Sequence, residues 1–340
     1  MVYFSIYEYW WFYLGFVAFV AFVLSLDLGI FHKKAHVVSV REAATWTGVW
    51  VTCALIFNSL FYFYAYHVFS QRASLMQLPG FDPALTAKNL AMEFTTGFLI
   101  EKALAIDNIF IFAVVFSYFG IPRIYQHRVL FWGIFGALIF RAVFIAIGSE
   151  LMQYQNVVVF FGILLIVTGI RIVVIREKEP DLSKNFLMRQ MNRFCNIDHE
   201  LSGDHFLIKK DRKWFLTPLF VSLIFIEISD IIFAIDSVPA IFAITKEPLI
   251  VFTSNVFAIL GLRSMYFLLS GVIEKFRYIK FGLAGVLIFV GLKMTLLNDF
   301  YDGHFPIWLS LLVIVLILTT SILASLVLDK KPSSSTKVLR

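Results

Sequence analysis

Charge is scarce in this 340-residue chain: Asp, Glu, Lys and Arg make up 15% of it, against roughly 25% in a soluble globule. Hydrophobic residues supply 60%, and the mean hydropathy is +0.83. A soluble fold is excluded, and the bilayer sets the rules of folding. Cysteine is scarce too. Cys53 falls in an apolar run and Cys195 in a charged loop, with no CxxC between them, so neither a disulfide framework nor a thiolate metal site is expected. The phosphate-cradling pattern G-x-x-x-x-G-K-[ST] is missing, which argues against ATP as an energy source. No basic soluble domain is present, so the net charge of +6 is not a nucleic-acid signal.

What the chain has is long apolar runs, at about 9–31, 43–67, 91–118, 128–148, 156–175, 217–244, 251–270, 279–297 and 307–328. They are too long and continuous for barrel strands, so the expected class is an all-α polytopic membrane protein with about nine transmembrane helices. The first run has no basic residue ahead of it and no small-residue cleavage pattern, and reads as a retained helix. Trp10 and Trp11 read as interfacial anchors. Alternate loops hold 21 of the 29 Lys and Arg residues, and the opposite loops only Arg72, Lys88 and Lys246. The basic side is expected to be cytoplasmic, in a cell inner membrane, with the N-terminus outside and the C-terminus inside.

The chain repeats itself. Phe-Gly-Ala-Leu-Ile-Phe-Arg141 resembles Phe-Ala-Ile-Leu-Gly-Leu-Arg263, and Val-Thr-Gly169-Ile-Arg171 resembles Phe-Val-Gly291-Leu-Lys293, both at an offset of 122 residues. A repeat of three spans inverts its second copy, as in many secondary transporters. The expected organisation is a two-helix extension (1–90), a first three-helix repeat (91–175), a cytoplasmic loop (176–216), an inverted second repeat (217–297), and a last helix with its tail (298–340). The loop reads as a solvated, topology-fixing segment, with Asp198-His199 and Asp204-His205 as a second reading, a metal sensor.

Two matched motifs carry the chemistry: Glu101-Lys-Ala-Leu-Ala-Ile-Asp107-Asn108 and Asp230-Ile-Ile-Phe-Ala-Ile-Asp236-Ser237. A charge in mid-bilayer costs about 2.5–3.5 kcal/mol on insertion scales, so two such clusters read as a site. Carboxylate, amide and hydroxyl oxygens are hard ligands suited to Mg²⁺, Ca²⁺ or Mn²⁺. Glu101, Asp107, Asp230 and Asp236 are the expected first ligands, with Asn108, Glu227, Ser237 and Asn255 behind them. Each motif's two acids fall about 120° apart on a straight helix. Sharing one cavity requires an unwound segment, for which Pro239 is the candidate break. Asp27 is a candidate pathway residue, Glu93 a water-facing acid at a helix end, and Asn58 a helix-to-helix hydrogen-bonding group. A second reading pairs the acids with Arg141 and Arg263, locking the bundle without an ion; proton conduction alone is a third. An intramembrane aspartyl protease is disfavoured, because neither Asp lies in a Gly-x-Gly-Asp context, and no enzymatic activity is expected.

These motifs, with Ser25-Leu-Asp27-Leu-Gly29 and Thr253-Ser-Asn255-Val-Phe-Ala-Ile-Leu-Gly-Leu-Arg263, resemble the TerC/Alx family of integral membrane proteins over about residues 10 to 328. The chain has Ala103 and Ala105 where that family usually has Ser, two hydroxyls fewer beside the first motif. The resemblance implies export of Mn²⁺ and an association with tellurite resistance. It also implies, for some members, supply of metal to exported enzymes at the secretion machinery. Entering protons are the expected coupling partner, and no organic cofactor is expected.

Overall fold

With no water in the hydrocarbon to satisfy N–H and C=O groups, each apolar run must close its hydrogen bonds internally, and each becomes a helix. The computed structural model describes residues 2–26, 38–174, 186–194, 196–198, 203–210, 212–270, 278–301 and 305–328. The helices are α1 (Trp10–Leu26), α2 (Val40–Gln71), α3 (Ala73–Met76), α4 (Pro83–Tyr118), α5 (Arg123–Leu151), α6 (Gln155–Val174), α7 (Phe186–Phe194), α8 (Pro218–Phe242), α9 (Pro248–Leu260), α10 (Leu262–Leu269), α11 (Ile279–Leu292), α12 (Asn298–Phe300) and α13 (Ile307–Leu328). A π-helical turn, Lys293–Leu297, continues α11.

Among the described residues, six helices are long and apolar enough to cross a membrane: α2, α5, α6, α8, α11 with its π turn, and α13. The α9–α10 pair, bent by 41°, makes a seventh. The other two runs read from the sequence are α1, a shorter apolar helix, and α4, whose 36 residues include Lys88, Glu93, Glu101, Lys102 and Asp107. The protein is an all-α polytopic membrane protein.

Helix α4 packs on α9, α5 on α8, and α6 on α11. The last pair touches backbone to backbone. A Cβ on Gly169 would come within 2.8 Å of the Ala284 carbonyl oxygen, and one on Gly291 within 2.5 Å of the Gly162 carbonyl oxygen. Small residues let membrane helices approach this closely. Asn58 joins α2 to α4 by donating to the Ala91 carbonyl at 3.1 Å and to Thr95 Oγ1 at 2.9 Å.

One expectation needs correction. Helix α8 runs unbroken through Pro239. The proline lies in the last turn of the helix, where its missing N–H costs one bond and little helix remains to disturb. The break falls instead at Gly261, between α9 and α10. The 176–216 loop carries structure of its own. Its described part holds α7 and an antiparallel hairpin of β1 (Leu207–Lys210) and β2 (Lys213–Leu216), turning at Arg212 with φ 63°. Met188 and Met191 of α7 are buried against the ends of α4, α5, α8 and α10.

Candidate functional site

Four helices meet around one guanidinium. On α4, Glu101 and Asn108 are seven residues apart, which puts them on one face, about 20° from alignment. Asp230 and Ser237 repeat that spacing on α8. Helix α9 supplies Asn255, and α5 supplies Arg141, only 1% exposed. Arg141 Nη1 donates to Glu101 Oε1, to Ser237 Oγ at 3.1 Å and to Asn255 Oδ1 at 3.1 Å. Its Nη2 and Nε grip the two oxygens of Asp230 at 3.0 and 3.3 Å. Asn108 Nδ2 donates to Asp230 Oδ1 at 3.3 Å, and Asn255 Nδ2 to Glu101 Oε2 at 3.4 Å.

The fork geometry of Arg matches a carboxylate two bonds at a time, which explains why Arg and not Lys sits here. One guanidinium set between two carboxyl groups supplies a countercharge for only one of them. Asn108 Oδ1 adds an acceptor, buried and without a hydrogen-bond partner. The centre is therefore rich in hard oxygens and short of positive charge.

The structure divides the sequence-derived site. Glu101, Asn108, Asp230, Ser237 and Asn255 come together, and Arg141 joins them as a charge pair. Asp107 and Asp236 do not join them. Both helices are continuous there, so a spacing of six keeps each Asp about 120° from its partner acid. Asp236 instead accepts from Thr168 Oγ1 of α6 at 3.4 Å. Glu227 lies where a Cβ on Gly136 of α5 would be, and its Oε2 is buried without a partner. Among the described residues, no three His, Cys, Asp or Glu side chains gather closely enough to hold a metal. The expected ring of four acids is thus two carboxylates with amide and hydroxyl neighbours.

Lys102 is accounted for by the break. Its Nζ donates to the Ala258 carbonyl at 2.9 Å, at the C-terminal end of α9, where a cation meets both an open carbonyl and the negative end of the helix dipole. Arg263 lies two residues past the break, on α10, and lines a small space beside Asp230. Asp27 and His199 lie outside the described residues. In the loop, Asp198 pairs with Lys210 and Asp204 with Arg128, while His205 is exposed. The contacts of Lys102 and Thr168 were not anticipated from the sequence, whereas Gly136 was expected to permit close helix packing. The spacing of seven within each motif was the available signal for the residues that do converge.

A multi-span helical membrane protein with a buried ionic centre is the class these features define. The model of the "Integral membrane protein TerC family" matches residues 86–333, and the chain belongs to that family. It is 45% identical over 322 residues to an "Uncharacterized membrane protein" of Myxococcus xanthus, covering 94% of this chain and 93% of the relative. It is 42% identical over 309 residues to the "Putative membrane-bound redox modulator Alx" of Escherichia coli K12, covering 90% and 91%. A membrane protein of Rickettsia felis is 39% identical over 312 residues, covering 91% and 95%. No solved structure matches the chain.

Proposed function

We propose that this TerC protein exports Mn²⁺ across the inner membrane through the Glu101–Asp230 centre, with protons entering in exchange. One observation carries the reading. Two carboxylates, a partnerless amide oxygen and two further oxygen donors surround a cation in the core of a membrane bundle. That donor set suits a hard divalent ion. In the state described here the guanidinium holds the cation's place. Arg cannot give up its proton, so it must swing away for metal to bind. Metal then balances both carboxylates. When Arg141 returns with its single charge, one carboxylate is left to take a proton, which couples the two ions. Asp107, Asp236 and Glu227 flank the route rather than forming its ligand sphere. Export works against an inside-negative potential at about 2.3 kcal/mol per charge per 100 mV, so such a coupling is needed.

The inverted repeat is part of the proposal. The exchange of packing partners, α4 with α9 and α8 with α5, supports it. So do the two backbone contacts between α6 and α11, because residues 162 and 169 become 284 and 291 on adding the offset of 122. The positive-inside rule then puts the N-terminal end outside.

The test is Mn²⁺ flux in proteoliposomes. Glu101→Gln and Asp230→Asn should each abolish it, and an imposed pH gradient should drive it in the wild type. Unchanged flux in both variants would refute the site. Flux indifferent to the gradient would refute the coupling.

A further inference from the structure

Beyond the Arg141 centre, a second group of charged side chains surrounds open space. A cavity of about 630 Å³ opens at the end of the bundle that holds the N-terminal segment. Its walls are the first turns of α4, α6 and α13, the end of α8 with the segment that follows it to Glu247, and the π turn after α11. Tyr3, Asn89, Glu93, Glu247 and Lys293 are among the groups that line it.

Each charge in it has distinct surroundings. Glu247, at the N-cap of α9, is spent on the chain itself: its two oxygens accept from the backbone N–H groups of Tyr3 and Phe4, the latter at 3.0 Å. Glu93 accepts from Thr245 Oγ1 through Oε2 alone, which leaves Oε1 for a ligand. Lys293 is 3% exposed, yet its ammonium makes no hydrogen bond or ion pair among the described residues. It lies 6.0 Å from the Phe305 ring centroid. A buried ammonium without an acceptor is costly, and Lys293 begins a π turn, a distortion that recurs at functional sites. The other lysine on the wall, Lys246, is exposed and screened by solvent. Among the described residues, the buried or half-buried charged side chains facing the cavity are two carboxylates against one ammonium, which favours a cation as occupant.

We infer that this cavity is a second cation station, in which Glu93 binds the divalent ion and the Lys293 ammonium is a like charge across the cavity that weakens its hold. The station rests on the transport reading above, as the place where an ion waits on the side away from the basic loops. Glu93 precedes Glu101 by eight residues, about 12 Å along α4, so the two stations lie along one helix.

The test uses the full chain in nanodiscs with manganese(II) chloride, following the free-ion signal by electron paramagnetic resonance. Glu101→Gln with Asp230→Asn silences the centre, so any remaining binding reports the cavity. That double variant should still bind one Mn²⁺ per chain, weakly. Adding Glu93→Gln should abolish this binding, and Glu93→Asp should retain it. Adding Lys293→Met should tighten it by roughly tenfold, the effect of removing a like charge from a low-dielectric site, while Lys293→Arg should not. A double variant that melts normally but binds no Mn²⁺ would overturn the inference. So would binding that ignores Glu93→Gln, or that weakens on Lys293→Met as an anion site would. Flux through the centre and binding in the cavity are separate readouts, so either reading can fail without the other.

Discussion

Two buried cations in this bundle have opposite surroundings. Arg141 makes five hydrogen bonds to four residues, while Lys293 makes none among the described residues and borders open space. The contrast follows the chemistry of the two side chains. A guanidinium is planar, permanently charged and many-pronged, and suits a place that must be closed with defined geometry. An ammonium is a compact charge on a flexible stem, and suits a place where it must give way. The dry centre is closed around its cation, and the cavity leaves open space beside its own.

Arg141→Met offers the largest test of that contrast. It leaves the Glu101 and Asp230 carboxylates facing each other in a dry core, and loss of one partner from a buried pair costs about 3–5 kcal/mol. A large drop in melting temperature in detergent is expected, whereas Lys293→Met should melt at or above the wild-type temperature. Equal melting of the two variants would break the comparison. Gly291→Leu comes next. It forces a side chain against the Gly162 carbonyl and should cost about 1–3 kcal/mol by overpacking. Because none of Arg141's hydrogen-bond partners lies on α6 or α11, Mn²⁺ binding at the centre should survive in the folded fraction; its loss would show that the two regions are not separable.

The smallest effect concerns Glu247, which lies between the spans. Burial pushes its carboxyl from the usual 4.5 up to about 7, opposed by the N–H groups of Tyr3 and Phe4. For an acid raised in the folded state, the stabilising contribution is full below the unfolded value and is lost as pH rises through the folded one. Melting temperature should therefore fall modestly between about pH 4.5 and about 7, and Glu247→Gln should flatten that slope. An unchanged slope in the variant would leave Glu247 without a part in it.

The spans could be read from the sequence because the bilayer permits one solution for an apolar run of that length. The runs at 279–297 and 307–328 coincide with α11 plus its π turn and with α13. The two acidic motifs were legible for a related reason, the cost of charge in lipid. Which acids meet was less legible. Side chains six apart look equivalent in a motif, yet a continuous helix turns Asp107 and Asp236 away and brings Asn108 and Ser237 round beside Glu101 and Asp230. The bend at Gly261 was hidden because Pro239 was the stronger signal, and helix position decided between them: Pro239 has almost no helix after it to break, and Lys102 reaches across from α4 to hold the open end of α9. Lys293 reads from the sequence as a lysine near a run's end that reaches water, yet it is buried at the start of the π turn and beside Phe305.

The permanent charge of Arg141 has one more consequence. A titratable lysine or histidine in its place would, when deprotonated, leave a chain of carboxyl groups able to hand protons across the bilayer. A guanidinium keeps its proton at every pH a cell meets, so no proton can be relayed through the Arg141 side chain that joins Glu101 to Asp230.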